Sequence, residues 1–199
     1  MKYIDNIRSV AELQPEYMGF IFYERSKRNF EGIIPELPKG IKKTGVFVNE
    51  IVEIVVSLIE EYKLEAVQLH GDESVAYIEA LRSHIKNVEV IKVFSIKDHV
   101  DFNELKPYES VVDYFLFDTK GKERGGNGIK FDWSVLKNYS LSKPFFLSGG
   151  IGQNDIEEIK RIEASGVPIR VVDVNSRFEN ASGFKEVKKL KAFKKALKI

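Results

Sequence analysis

Thr44-Gly45-Val46-Phe47-Val48-Asn49 is followed by apolar residues at Ile51, Ile54, Val55, Leu58, Ile59 and Tyr62, and then by Ala66-Val67-Gln68-Leu69. The first and last segments are nearly continuous apolar runs, the pattern of strands buried on both faces. The middle segment is one apolar stripe at helical period, with Asn49 expected as its N-cap. Strand, helix and strand in that order make a βαβ unit, which packs with parallel strands and a right-handed crossover.

The same reading extends outward in both directions. Strands are expected over 17–22, 44–48, 66–69, 89–94, 114–118, 145–148 and 169–174, so their starts lie 22 to 31 residues apart. Helical stripes fall at Val75, Ile78, Leu81 and Ile85, and at Ile156, Ile159 and Ile162, the latter ending near Gly166, a suitable C′ residue. A first helix from about Asp5 uses Ile7, Val10, Ala11 and Leu13, and a last one uses Val187, Leu190, Phe193 and Leu197. The stretch 31–40, with Pro35 and Pro38, is the weakest of the expected helices. The order is a helix and then seven βα units. Two architectures satisfy it, an open doubly wound sheet and a closed (β/α)₈ barrel. Polar residues follow many different strands: Arg28, Asn49, Gln68 and His70, Asp118, Gly149-Gly150, Asp173 and Ser176. A doubly wound sheet concentrates its site at one switch point, whereas a barrel gathers all its strand ends at one mouth. The distribution favours the barrel, as a single α/β domain over 1–199. Its first β-strand is then missing from the chain, and is expected to precede residue 1.

Composition narrows the function. The chain has 199 residues, with 31 basic and 30 acidic, and a formal net charge of +1. Near neutrality argues against a general nucleic-acid binder, which needs a basic face to displace counterions. No run reaches the roughly 18 apolar residues of a membrane helix, so a cytoplasmic protein without a membrane partner is expected. There is no cysteine, which excludes disulfides, Cys-ligated metals and a cysteine nucleophile within these residues. The three histidines, His70, His84 and His99, form no ligand motif, so no metal is expected.

Several segments can carry chemistry. Ser148-Gly149-Gly150-Ile151-Gly152 leaves a strand and opens a helix, where backbone N–H groups and the helix dipole suit a phosphate. Val172-Asp173-Val174-Asn175-Ser176 ends the next strand, and barrels often hold phosphate between these two strands. A tight βα turn is the plain alternative. Phe117-Asp118-Thr119 ends a strand in a carboxylate, placed either for general acid–base work or to cap the next loop. The glycine-rich stretch 120–128 reads as a loop over the mouth. Gln68 and His70 share one strand end, His70 reading first as a satisfied structural histidine and second as a substrate contact. Arg28 can hold a carboxylate bidentately or stand as a solvated charge. The seven lysines between Lys185 and Lys198 read as the solvated face of the last helix.

Taken together these segments resemble the phosphoribosylanthranilate isomerase family over the length of the chain. The resemblance rests on Tyr17-Met18-Gly19-Phe20-Ile21-Phe22, Ser26-Lys27-Arg28, Gly45-Val46-Phe47-Val48-Asn49, Val67-Gln68-Leu69-His70-Gly71, Phe117-Asp118-Thr119, Gly125-Gly126-Asn127-Gly128 with Phe131-Asp132-Trp133, Ser148-Gly149-Gly150-Ile151, and Val172-Asp173-Val174-Asn175-Ser176. It implies a cofactor-free Amadori rearrangement of N-(5-phosphoribosyl)anthranilate in tryptophan biosynthesis. An acid protonates the ring oxygen and a base removes the proton at C2 of the sugar. By resemblance Asp118 is the general acid and Arg28 faces the anthranilate carboxylate. Gln68, His70 and Asp173 line the substrate site. Gly128, Gly149, Gly150, Asn175 and Ser176 cradle the phosphate. A small-molecule substrate is the expected partner, and the chain is expected to be a monomer or a homodimer.

The chain also departs from the family pattern. The family's first strand ends in Cys-Gly-Met and that cysteine is the general base; Met1 aligns with the final Met, so the strand and the base are expected upstream of this chain, which as given is then impaired. Lys27 replaces the usual Pro before Arg28, and Arg177 stands where a smaller residue is common beside the phosphate. The alternative reading is a non-catalytic, sugar-phosphate-binding relative on the same barrel.

Overall fold

The computed structural model describes residues 1–96, 100–119 and 130–197. These fall into two compact units, one of Met1–Ile91 with Glu179–Val187, the other of Lys92–Phe178 with Lys188–Ile199.

The first unit begins with helix α1 (Ile4–Ala11), followed by β1 (Tyr17–Ile21), β2 (Lys42–Phe47), α2 (Val52–Tyr62), β3 (Ala66–Leu69) and α3 (Val75–His84). Strands β1, β2 and β3 are parallel, registered Tyr17↔Lys42 to Ile21↔Val46 and Thr44↔Ala66 to Phe47↔Leu69. Phe20, Phe47 and Leu69 are fully buried, as are Val55 of α2 and Ile78 and Leu81 of α3, and Ile59 of α2 is nearly so; removing each from water is worth roughly 1.5–3 kcal/mol. A two-stranded antiparallel hairpin, β8 (Glu179–Ala181) and β9 (Phe184–Lys185), belongs to the same unit. Asn6 of α1 ties it down, its side chain donating to the Lys185 carbonyl at 2.9 Å and accepting from the Lys185 N–H at 2.7 Å.

The second unit contains most of β4 (Glu89–Ile96), then β5 (Tyr114–Thr119), β6 (Phe145–Leu147), α4 (Ile156–Glu163), β7 (Ile169–Val172) and most of α5 (Val187–Leu197). Strands β5, β6 and β7 are again parallel. Phe117 and Phe145 meet at 4.8 Å between ring centres, and Tyr139 packs on both. Along the sheet the strands neighbour one another in chain order, β1 to β7. A doubly wound sheet reverses its order at a switch point; this one never does, as a (β/α) barrel requires.

Four expectations change. Residues 31–40 form no helix, because Pro35 and Pro38 lack donors and drive the residues before them into extended conformation. Asn49 does not cap α2. Ile51 is the cap residue, and Asn49 has φ 51°, its side-chain oxygen accepting from Asp72 N–H at 2.6 Å and its own N–H donating to Glu73 at 2.8 Å. The connections after β4 and β5 are 3₁₀ segments, Phe102–Tyr108 and Trp133–Asn138, and not amphipathic α-helices. Lys185 is buried and paired, so it does not belong to the solvated lysine face. Gly166, with φ 86° and its N–H on Glu163, does close α4.

Candidate active site

In the second unit the C-terminal ends of three strands bring their polar residues together. Asp118 sits near the end of β5, 6% exposed, and its Oδ1 accepts the Thr119 N–H at 2.8 Å. Ser148 follows β6, its N–H on the Phe117 carbonyl at 2.9 Å, which continues the ladder into the turn. The Ser148 hydroxyl donates to Asp173 Oδ2 at 2.9 Å, so the carboxylate after β7 is held against the turn after β6. Gly149 then passes directly over the end of β5. A Cβ on Gly149 would lie 2.3 Å from Thr119 Oγ1, 2.7 Å from Thr119 N and 3.1 Å from Asp118 Oδ1, and its φ of +92° is one that side chains rarely adopt. The turn is therefore glycine because a carboxylate and a backbone lie beneath it. Thr119 also receives the Phe131 N–H at 3.1 Å, which fixes the chain where it returns from the glycine-rich stretch.

A cavity of about 350 Å³ opens from this turn, lined by Gly150, Gly152, Gln153 and Arg177, with Lys130, Asp155 and Lys189 on its wall. The Arg177 stem runs across Gly152, where a Cβ would meet its Cδ at 3.1 Å. Lys130 is bound to Asp155 at 3.1 Å and Glu158 at 2.5 Å, with its ammonium 4.5 Å from the Trp133 ring centre. Burial acts to lower its pKa, but the hydrogen bonds it donates to Glu158 and Asp155 outweigh that and raise it, so Lys130 stays charged. Asn175 and Ser176 sit where β7 runs into a 3₁₀ turn, the Phe178 N–H on the Asn175 carbonyl at 3.0 Å. Gly128 lies outside the described residues, as does the rest of the glycine-rich stretch.

The first unit holds two separate groups. Gln68, on β3, has its amide nitrogen 3.1 Å from His70 Nδ1, the amide donating to the ring, while the His70 backbone N–H extends the β2 ladder at Phe47. Arg28 follows β1 in a turn where its N–H donates to Ser26 Oγ at 3.1 Å. Its guanidinium is not a solvated charge: Nε and Nη2 grip Glu179 at 2.7–3.1 Å. Lys185 Nζ adds a contact to Glu179 Oε1 at 2.7 Å. Burial acts to raise the pKa of Glu179, but the hydrogen bond from Arg28 and the charge of Lys185 outweigh it and hold it below the ordinary glutamate range. A depressed carboxyl stabilises the fold above its unfolded-state pKa and loses that contribution as pH falls through the folded value. The expected result is an acid-unfolding curve whose lower limb flattens in Glu179→Gln, measured by circular dichroism between neutral pH and pH 2.

Glu179, Lys130, Thr119 and the Ser148–Asp173 bond are the parts of these groups that the sequence pattern missed. A lone carboxylate between Arg177 and Lys185 was the available signal for Glu179. Among the described residues no three ligating side chains cluster as a metal site, and no helix is long and apolar enough to cross a membrane.

Comparison with known proteins identifies the family. The family model described as N-(5′-phosphoribosyl)anthranilate (PRA) isomerase matches residues 1–196. A relative of that name from Parabacteroides distasonis is 41% identical, covering 97% of this chain and 88% of the relative. One from Thermoanaerobacter sp. is 40% identical, covering 95% and 90%. The crystal structure of the Thermotoga maritima phosphoribosyl anthranilate isomerase superposes with a TM-score of 0.84 at 29% identity, over 100% of this chain and 95% of that one. A further isomerase structure, in complex with reduced 1-(o-carboxyphenylamino)-1-deoxyribulose 5-phosphate, gives a TM-score of 0.81 at 27% identity over the same shares. The barrel reading of the strand order stands on these matches. With nearly all of its length matched by the family model and relatives at 40% identity, this chain belongs to the N-(5′-phosphoribosyl)anthranilate isomerase family.

Proposed function

We propose that this chain is the isomerase of its family, converting N-(5-phosphoribosyl)anthranilate into 1-(2-carboxyphenylamino)-1-deoxyribulose 5-phosphate in tryptophan biosynthesis. The observation that carries the reading is the packing of Gly149 onto Asp118 and Thr119, within 3.1 Å of where a side chain would begin. That contact sets an anion-binding turn beside a buried carboxyl. A sugar phosphate seated on the turn presents its ring to that carboxyl.

Asp118 is the general acid. Its proton passes to the ring oxygen, the C1–O bond breaks, and the anilino nitrogen becomes an iminium. A base then takes the C2 proton, and the electron pair closes an enamine that tautomerises to the ketone. The family's base is a cysteine, and no cysteine occurs among these 199 residues. That is the one observation favouring the second reading, a sugar-phosphate-binding relative without turnover. Gly149, Gly150, Asn175 and Ser176 cradle the phosphate through backbone N–H groups, with Gly128 completing the cradle. Arg28 meets the anthranilate carboxylate, and Gln68, His70 and Asp173 line the substrate. No cofactor takes part. The protein works in the cytoplasm, as a monomer or homodimer.

The test is a titration with inorganic phosphate followed by amide resonances. Shifts are expected at Gly149, Gly150, Asn175 and Ser176. Gly149→Ala forces a Cβ into Thr119 and weakens phosphate binding by roughly tenfold or more, the scale of one hydrogen bond to a charged group. Shifts confined to other surfaces would remove this turn from the phosphate site.

A further inference from the structure

We propose that Glu179 is a positioning residue for the substrate carboxylate, acting through Arg28. The proposal rests on the reading that Arg28 meets that carboxylate, and says what aims it. Glu179 holds the guanidinium by one edge only, with Nε at 2.9 and 3.1 Å from its two oxygens and Nη2 at 2.7 Å. Guanidinium is a planar fork with five donors, so the second edge, which carries Nη1, remains for another carboxylate. Among the described residues no contact of Nη1 competes for it. The grip leaves the guanidinium little freedom, since both side chains are largely withdrawn from water, 18% and 4% exposed.

Glu179 is itself fixed. Its Oε1 accepts from Lys185 Nζ at 2.7 Å and from the Gly183 N–H at 3.1 Å. Lys185 sits on a hairpin that Asn6 clamps through both backbone groups of that residue. The chain of support runs from helix α1 through β9 to Lys185, then Glu179, then Arg28. A substrate carboxylate on the open edge of Arg28 binds without displacing Glu179 from the other.

The experiment uses calorimetric binding of reduced 1-(o-carboxyphenylamino)-1-deoxyribulose 5-phosphate, the same compound lacking its carboxyl group, and inorganic phosphate. Glu179→Gln should weaken the first about tenfold and leave the other two unchanged. In an Arg28→Ala background Glu179→Gln should add nothing further, because its effect travels through the guanidinium. Equal weakening of all three ligands would mean a purely structural role and overturn the proposal. So would unchanged affinity for the carboxylated ligand while Arg28→Ala weakens it. If Arg28→Ala itself leaves that affinity intact, the carboxylate reading of Arg28 is what fails, and the proposal falls with it. Where Glu179→Gln does not fold, Glu179→Asp decides by the same comparison. It keeps the charge but draws it back by one methylene, so it should weaken the carboxylated ligand alone.

Discussion

Asp118→Asn, made in a chain that also carries the family's cysteine strand, is expected to lower kcat by on the order of 10²-fold or more while KM changes little. The substitution keeps the shape of the side chain. Its Oδ1 continues to accept the Thr119 N–H, a 2.8 Å contact in the parent, and no new bulk meets Gly149. What disappears is the transferable proton. An amide cannot protonate the ring oxygen, so the loss appears in the transition state and not in the bound ground state. Binding of the reduced product analogue should therefore match the parent, measured by calorimetry beside the steady-state assay. A kcat near the parent value would take Asp118 out of the acid role. A matching loss of analogue affinity would point to a misplaced turn at Ser148-Gly149 and not to lost proton transfer.

The strands were legible because runs such as Gly45-Val46-Phe47-Val48 and Phe115-Leu116-Phe117 are apolar on both faces, and the structure buries almost every residue in them. The strand-end residues were legible for a related reason: a polar side chain directly after such a run has only the sheet's end to occupy. Asp118, Ser148 and Asp173 all follow that rule. What stayed hidden depends on partners far away in sequence. Arg28 and Glu179 are 151 residues apart, and nothing near either residue announces the other. Lys185 shows the same blindness in reverse. It stands at the head of a basic run whose members, such as Lys188 and Lys191, are exposed, yet one hairpin turn carries it inward to a carboxylate. Asn49 failed as a cap because its best partners, Asp72 and Glu73, came from the next strand end and not from its own helix. Local pattern reads what a segment does by itself, and polar residues at sheet ends bond across loops.

Extending the chain at its N-terminus by a strand ending Lys-Val-Cys-Gly is expected to raise both isomerase activity and thermal stability, through two separable effects. The stability effect is one of pairing. Strands β1 and β7 stand at the two ends of the strand order, and they are the least buried of the seven, with alternating or partly exposed residues where β5 and β6 are almost wholly buried. A further strand paired on β1 takes up backbone donors and acceptors and covers apolar surface. Each 1 kcal/mol gained moves the melting temperature by roughly 2–4 °C in a domain of this size. The activity effect is chemical. In the proposed mechanism the added cysteine removes the C2 proton, and the expected gain is on the order of 10²- to 10⁴-fold. Cys→Ser within the added strand divides the two: the melting temperature stays raised and the activity falls back. If the 199-residue chain turns over substrate as fast as the extended one, the base lies elsewhere among its own residues, and the assignment of proton abstraction to a cysteine fails. If the Ser variant loses the gain in melting temperature along with the activity, the cysteine matters to packing, and its loss of activity no longer identifies it as the base.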